Sequence, residues 1–336
     1  MNSRLSNEIK AEAKRLGFFC CGIAKAEPVD DDAARRLMNW LNHKGEADMD
    51  YMRRNTDKRL NPLLLMPQAR SIISVALNYA PHDSFPKGEY RLAAYAIGQD
   101  YHEIMKAKLH TLAHHFGLED ALYSKREHGL YRAFSDTGPV LERYWAQKAG
   151  LGWTGRNHQL IIPHAGSMFF LGELFVDIDL DYDKPMTPRC GTCHACLDQC
   201  PTGAIYLDKD GVPAFDAMRC LSYQLIENRN GLSEEAKEHM GDCIYGCDRC
   251  QQACPWNRFA TPNDEPQLQP KEQLMKMSRA DWQNLSLEQY QRLFKGSAVK
   301  RAKYAGLMRN IKAAEENESD TRQNNTIKDE DNKTGN

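Results

Sequence analysis

Four cysteines occupy eleven positions in "CGTCHACLDQC": Cys190, Cys193, Cys196 and Cys200, the last followed by Pro201. The spacing C-x2-C-x2-C-x3-C-P is that of a bacterial ferredoxin run. Three thiolates two residues apart can wrap three corners of one cubane in a single tight loop. The fourth, displaced and followed by proline, leaves that loop and reaches a second cluster. A second run, "CIYGCDRCQQACPWN", keeps the last three members of the pattern in Cys247, Cys250 and Cys254, with Pro255 after them. Its missing member falls on Ile244, and Cys243 is one position out of register. The spacing therefore predicts two 4Fe-4S clusters. The first takes Cys190, Cys193, Cys196 and Cys254. The second takes Cys200, Cys247, Cys250 and one more thiolate, Cys220 or Cys243. Zinc is the competing ligand, since eight cysteines could hold two ions with four thiolates each. Zinc sites, however, do not call for the x3-C-P ending on both halves. Two neighbouring clusters make a one-electron wire, and a wire needs a terminus in another part of the chain.

Three other stretches bear on that terminus. "GLGWTG" (150–155) fits G-x-G-x-x-G, but its glycines follow a predicted helix and precede a strand. A dinucleotide site requires the reverse order, strand then turn then helix. A tight turn that allows close approach of another group is expected instead. In "FSDTGPVLER", Asp136 stands just ahead of a helix opened by Pro139; it reads either as an N-cap or as a proton donor at the mouth of a site. Residues 290–312 carry Arg292, Lys295, Lys300, Arg301, Lys303, Arg309 and Lys312 with no acidic residue. Such a block suggests a phosphate-binding face, with Tyr290, Phe294 and Tyr304 available to stack on bases or to pack in a core.

The elements that must position these groups follow from periodicity and punctuation. Helices are expected at 3–16, 31–43, 101–116 and 139–149, the last with proline in its first turn. "FFCCGIA" (18–24) and "SIISVALNY" (71–79) read as buried strands, with Cys20 and Cys21 as small core residues. "HQLIIPH" and "SMFFLGELFVDID" read as the two arms of a hairpin around Ala165 and Gly166. Residues 258–278 read as a linker, 280–314 as helical, and the polar stretch from Glu315 as disordered.

With 41% hydrophobic and 27% charged residues in a chain of 336, a sizeable core can be buried. No stretch approaches the roughly 18 apolar residues of a membrane span, and the N-terminus reads as an amphipathic helix, not an export signal. A cytoplasmic location is expected, where eleven cysteines point to metal ligation over disulfides.

Four segments, "YGCDRCQQACPWN", "RCLSYQLIE", "DTGPVLERYWAQKAGLGWTGRN" and "FKGSAVKRAKYAGLMRN", closely resemble the epoxyqueuosine reductases, a family of cobalamin-dependent tRNA-modification enzymes; the likeness runs from the N-terminus to about residue 312. The resemblance implies an α/β (α+β) cobalamin-binding domain (1–180), similar in fold to reductive dehalogenases and cobalamin-trafficking proteins. It also implies a two-cluster ferredoxin-like domain (181–260), a linker with basic C-terminal helices (261–314) and a tail (315–336). Family members often carry further C-terminal helical repeats, of which this chain has at most the first helices. The implied reaction reduces epoxyqueuosine to queuosine at the tRNA wobble position, with cob(I)alamin as nucleophile and electrons relayed by the clusters from an external low-potential donor. The resemblance makes Asp136 the proton donor, with a carboxyl raised by burial against the corrin. It selects Cys220 as the eighth cluster ligand and leaves Cys243 free. Around the corrin it places Arg59, Gln99, Asp136, Gly155, Asn157, Ser222 and Asp248. Toward tRNA it places Glu227, Arg292, Lys295, Lys300, Arg301 and Lys303. No D-x-H-x-x-G motif is present, so His102 and His158 are expected to be structural or substrate-facing, not cobalt ligands. A monomer without membrane association is expected. Two alternatives share some of these features. A reductive dehalogenase would act on a small organohalide, and a non-catalytic electron-transfer or cobalamin-handling protein would need neither Asp136 nor the basic block.

Overall fold

The structure is a computed structural model and describes residues 3–317. The apolar run "SIISVALN" becomes the strand Ser71–Asn78, buried at every position but the last. It sits inside a five-stranded sheet whose order is Cys20–Lys25, Ser71–Asn78, Phe169–Val176, Leu130–Phe134 and Glu119–Asp120. Neighbours run antiparallel except the last pair. The register sets Ile73 between Ile23 and Leu174, so apolar side chains stack across three strands. Both faces are covered, which is why the inner strands are apolar without alternation.

One face carries the helices Ser3–Arg15 and Tyr101–His115, whose Ile9, Ala13, Met105, Leu109 and Leu112 pack on Ile73, Val75 and Leu174. The helix Glu142–Lys148 covers the other, with Trp145 and Ala146 against Ile72, Ala76 and Phe175. Gly22 makes that second contact possible. A β-carbon there would lie 2.0 Å from the Ala149 carbonyl oxygen, so only a bare backbone lets the end of the helix rest on the edge strand.

The hairpin expected around Ala165 and Gly166 does not form. Leu160–Ile161 pairs with Trp153–Thr154, while Phe169–Val176 is the middle strand of the sheet, bonded to Ser71–Asn78 and Leu130–Phe134. The strand Leu130–Phe134 has no counterpart in the sequence reading. The helix expected at 139–149 starts at Glu142, three residues beyond Pro139. "GLGWTG" is the expected tight turn, and the group that approaches it belongs to the chain itself: a β-carbon on Gly152 would meet the Ile161 carbonyl oxygen at 2.1 Å.

The cysteine segment lies against one end of this sheet, and the C-terminal helices pack behind it. Trp282, Tyr290, Leu293, Phe294, Leu307 and Ile311 share a core with Tyr90, Leu221, Leu225, Met240, Ile244 and Tyr245. Buried Asn310 ties the last helix, 303–317, to the carbonyls of Leu225 and Ile244 at 2.8 Å each. Residues 258–278 are not a free linker. Asn263 is buried and bonded to the Ala80 carbonyl, and Glu265 pairs with Lys108 at 2.7 Å. This segment straps the C-terminal unit to the sheet domain. Of the tail expected from Glu315, residues 315–317 extend the last helix and 318–336 lie outside the described residues. Among the described residues no helix is long and apolar enough to cross a membrane.

Candidate active site

The cysteines assemble in two sets. The short helices Ala195–Asp198 and Arg249–Gln252, one from each run, pack together, so the two runs share the sulfurs. Burial pushes the Cys196 thiol up to about 11, and the charges it senses next are those of Cys254, Cys190 and Cys193. Burial raises Cys250 further, with Cys247, Cys220 and Cys200 as its strongest neighbours. The grouping is the crossed one that the spacing predicts. Cys220 stands with the second set. Cys243 is buried in the core behind it, beside Cys247 and facing Arg249 and Arg91. Among the described residues no three ligating side chains close on a point as one ion would require. Cys193 alone of the eight is exposed, and its carbonyl accepts a 2.8 Å bond from Arg156, which also holds the Gly191 carbonyl at 2.9 Å.

Between the sheet domain and the cysteine segment lies a cavity of about 2830 Å³, well above the roughly 300–1,000 Å³ of common small-molecule pockets. Cys200, Cys220, Cys247 and Cys250 open on it, whereas only Cys190 of the first set does. The helix Asp31–Asn42 and the loop after it form one wall. They are joined to the cysteine segment by the Trp40 indole on the Phe215 carbonyl (2.8 Å) and by the Ala217 amide on the Gly45 carbonyl (2.9 Å).

Asp136 stands on the opposite wall. Its backbone is left-handed, φ 59°, a conformation uncommon for a non-glycine residue. Its amide is bonded to the Glu142 carboxylate. Its Oδ2 accepts from the Tyr101 hydroxyl at 2.8 Å and faces His102 Nε2 at 2.9 Å; His102 Nδ1 in turn lies 2.6 Å from Asp100 Oδ1. Tyr101 is held flat on Phe170, with ring centroids 4.1 Å apart. Burial favours a raised Asp136 carboxyl, but the hydrogen bonds from His102 and Tyr101 outweigh it and hold the group below its ordinary value. Burial alone would lower the His102 imidazole, yet the two carboxylates push it up to about 9. The raised carboxyl expected at Asp136 is found instead at its neighbours. Burial first, then the Asp136 charge, raises Glu142, and burial raises Glu173, which is fully enclosed in the middle strand with both oxygens unpaired.

The residues expected around a corrin divide. Arg59, Asp136, Gly155, Asn157, Ser222 and Asp248 line the cavity. Gln99 is exposed and away from the lining, and its amide is bonded to the Gln267 carbonyl. Asp248 lines the wall but spends Oδ2 on the Ala94 amide at 2.7 Å, a structural bond. Of the residues expected toward tRNA, Glu227, Lys300 and Arg301 reach the cavity rim, while Arg292, Lys295 and Lys303 are exposed but outside it. Arg301 forms a two-pronged pair with Glu227, both contacts 2.8 Å, over the Tyr51 ring. Arg309 is consumed internally by the carbonyls of Asn228 and Gln224. Tyr290 and Phe294 belong to the core and cannot stack on a base. Sequence reasoning missed Asp100, Tyr101, Tyr51 and Glu142 as wall residues. The run "DYH" ahead of a helix was the one available signal, and it reads equally well as an N-cap followed by ordinary helix residues.

The chain is similar to known proteins along nearly all its length. Residues 59–137 match the family model "Epoxyqueuosine reductase QueG, DUF1730", and residues 189–257 match a 4Fe-4S double cluster binding domain, which decides for iron–sulfur over zinc. An epoxyqueuosine reductase of Cellulophaga algicola is 44% identical over 306 residues, covering 91% of this chain and 96% of that one. A crystal structure of epoxyqueuosine reductase with a tRNA-Tyr epoxyqueuosine-modified stem loop superposes with a TM-score of 0.80 at 28% identity, covering 93% of this chain and 80% of that one. The enzyme from Streptococcus thermophilus gives 0.80 at 28%, covering 100% and 87%. By this identity and coverage the chain belongs to the epoxyqueuosine reductase family.

Proposed function

We propose that this protein reduces epoxyqueuosine in the anticodon loop of tRNA to queuosine, with two 4Fe-4S clusters relaying electrons to a cobalamin held in the central cavity. The observation that carries the reading is that the second cysteine set and Asp136 open on one cavity, so an electron source and a proton-handling group face the same space. The first set, with Cys193 exposed, is the entry side for an external low-potential donor. Cys190, Cys193, Cys196 and Cys254 hold one cluster, and Cys200, Cys220, Cys247 and Cys250 the other.

The cavity fits a corrinoid. It is large enough for a macrocycle, and Arg59 Nε and His158 Nε2 are buried at its wall without partners, as suits groups that await a polar ligand. Arg59, Gly155, Asn157 and Ser222 are the residues that would hold it. Cobalamin, when bound, supplies a strongly nucleophilic cobalt. The chain's own residues do the rest. Asp136 faces the reacting oxygen, Tyr101 and His102 fix its carboxylate, and Glu142 holds its backbone. The rim formed by Glu227, Lys300 and Arg301 receives the nucleotide, and the exposed Arg292, Lys295 and Lys303 add phosphate attraction. A flipped-out wobble base entering the cavity accords with loop-targeted recognition of RNA.

The test is anaerobic incubation of the reduced, cobalamin-loaded protein with epoxyqueuosine-containing tRNA, followed by nucleoside analysis. Queuosine is expected, and Asp136→Asn should lower its rate by about 10²–10⁴-fold, the usual worth of a positioned proton-transfer group. Unchanged epoxyqueuosine with the loaded wild-type protein would overturn the assignment and favour a non-catalytic electron carrier.

A further inference from the structure

The proposed reaction has a proton balance that one carboxyl group cannot meet. Converting an epoxide to an alkene and water consumes two electrons and two protons. The first carbon–oxygen bond opens and the oxygen, as alkoxide, takes one proton. The second bond breaks, the oxygen leaves as hydroxide and takes the other. The clusters pass on the electrons, one at a time, from the external low-potential donor. Asp136 carries at most one proton, and in this structure it is an acceptor: both contacts to its Oδ2 come from neighbouring groups, at 2.8 and 2.9 Å.

We propose that His102, fixed by Asp100, is the proton store of the site, and that Asp136 passes protons from His102 to the substrate oxygen. The inference rests on the proposed reaction. Three elements of geometry carry it. His102 lies between two carboxylates, with Nδ1 2.6 Å from Asp100 and Nε2 2.9 Å from Asp136. This is the arrangement in which one carboxylate orients an imidazole and the other exchanges its proton. The three residues line the same cavity wall, and the His102 side chain is 22% exposed, so the ring can be recharged from the cavity. Asp100 is also the N-cap of the helix Tyr101–His115, its Oδ1 accepting the His102 amide, which locks the orienting carboxylate to the backbone that carries the ring.

The two carboxylates favour an imidazolium against the burial that opposes it. Asp100, Tyr101 and Lys106 face this group from its own helix and cap. Asp136, Glu142 and Arg143 face it from the loop and helix opposite. Tyr101 is not the source, because burial and the Asp136 charge raise its hydroxyl far above its ordinary value and keep its proton in place.

His102→Gln is the decisive variant, because an amide can still donate to Asp136 but cannot carry a mobile proton. With cobalamin-loaded protein under single-turnover conditions, the wild-type rate should fall on the alkaline side as His102 loses its proton. His102→Gln should lose at least about tenfold to a hundredfold in rate, lack that alkaline limb, and bind tRNA with unchanged affinity. Added imidazole should restore part of the rate. A second readout needs neither cofactor nor substrate: histidine NMR titration of the protein as purified. The His102 resonance should titrate well above free imidazole in wild type and move down in both Asp100→Asn and Asp136→Asn. A neutral His102 at pH 7, or His102→Gln with the full rate and an unchanged alkaline limb, overturns the relay while wild-type turnover leaves the reaction standing. Absence of queuosine with wild type removes the reaction, and the relay with it.

Discussion

The clusters can serve the cavity only if the cysteine segment is held rigidly against the sheet, and one buried side chain joins the two directly. Gln251 lies between two cluster cysteines and is 6% exposed. Its Nε2 donates to the Tyr79 hydroxyl at 3.0 Å and to the Ser167 carbonyl at 2.9 Å, and its Oε1 accepts from the Tyr79 hydroxyl at 3.3 Å. Tyr79 follows one inner strand and Ser167 precedes the next, so these bonds join the cluster segment to the core of the sheet. Asn257 reinforces the joint, taking the Ser167 amide at 2.6 Å and giving to the Gln251 carbonyl at 2.6 Å. Gly166 makes room for it, since a β-carbon there would stand 2.0 Å from Asn257 Oδ1.

Gln251→Leu keeps the volume and removes both donors. It strands two buried groups, the Ser167 carbonyl and the Tyr79 hydroxyl. Each costs about 1–3 kcal/mol when unpaired. The hydroxyl can rotate and recover part of its share, so the sum expected is about 2–4 kcal/mol. At about 2 °C per kcal/mol for a chain of this length, melting followed by the visible absorption of the clusters should drop by roughly 4–8 °C. Gln252→Leu is the control, one residue along and exposed, and should move by less than about 1 °C. If the two variants melt together, this joint does not hold the segment and the argument for a rigid wire fails.

Other consequences can be checked directly. Cys220→Ser should lose about half the iron and sulfide per chain while Cys243→Ser keeps both clusters, measured by iron content and EPR after anaerobic purification; the reverse pattern would put Cys243 in the ligand set. Reversing charge at Lys300 and Lys303 should weaken tRNA binding by about tenfold at 50 mM salt and flatten its salt dependence, whereas unchanged binding would leave that face merely solvated. The His102 pKa, raised to about 9 in the folded protein from about 6.5 unfolded, should contribute stability that is complete below pH 6.5 and lost as pH rises through 9. The stability difference between wild type and His102→Gln should therefore be largest near pH 6, about 1–3 kcal/mol, and shrink toward pH 10. A difference that grows with pH would contradict the ion triad.

What the sequence made legible was whatever a short stretch determines. The ligand spacing is set by a loop of a few residues, so the crossed sharing of sulfurs could be drawn from Cys190 to Cys200 and Cys247 to Cys254 alone. The outer helices and the strand Ser71–Asn78 were legible for the same reason. The strand Phe169–Val176 was misassigned because nearness in sequence suggested a hairpin, while its partners come from around residues 75 and 132. Leu130–Phe134 was missed because "LYRAF" is only five residues long and interrupted by Arg132.

The candidate active site shows the same limit in sharper form, because its arrangement depends on pairs that no local rule joins. In the sequence Asp100 and Asp136 both read as N-cap aspartates, and Asp100 is one. Asp136 is not, because the helix after it begins only at Glu142 with Leu141 as its cap; instead it takes a left-handed backbone and meets an imidazole from 34 positions away. The family resemblance implied a carboxyl raised by burial. Once the helix Tyr101–His115 is laid on the sheet, Tyr101 and His102 reach that carboxyl, and their contacts hold it below its ordinary value. The basic block follows the same logic in reverse. Its charge was legible, but the short turn Ala298–Ala302 brings only Lys300 and Arg301 to the cavity rim, and Arg309 is turned inward to bind carbonyls. A residue's type narrows what it can do, and the partner that the fold sets beside it decides among those possibilities.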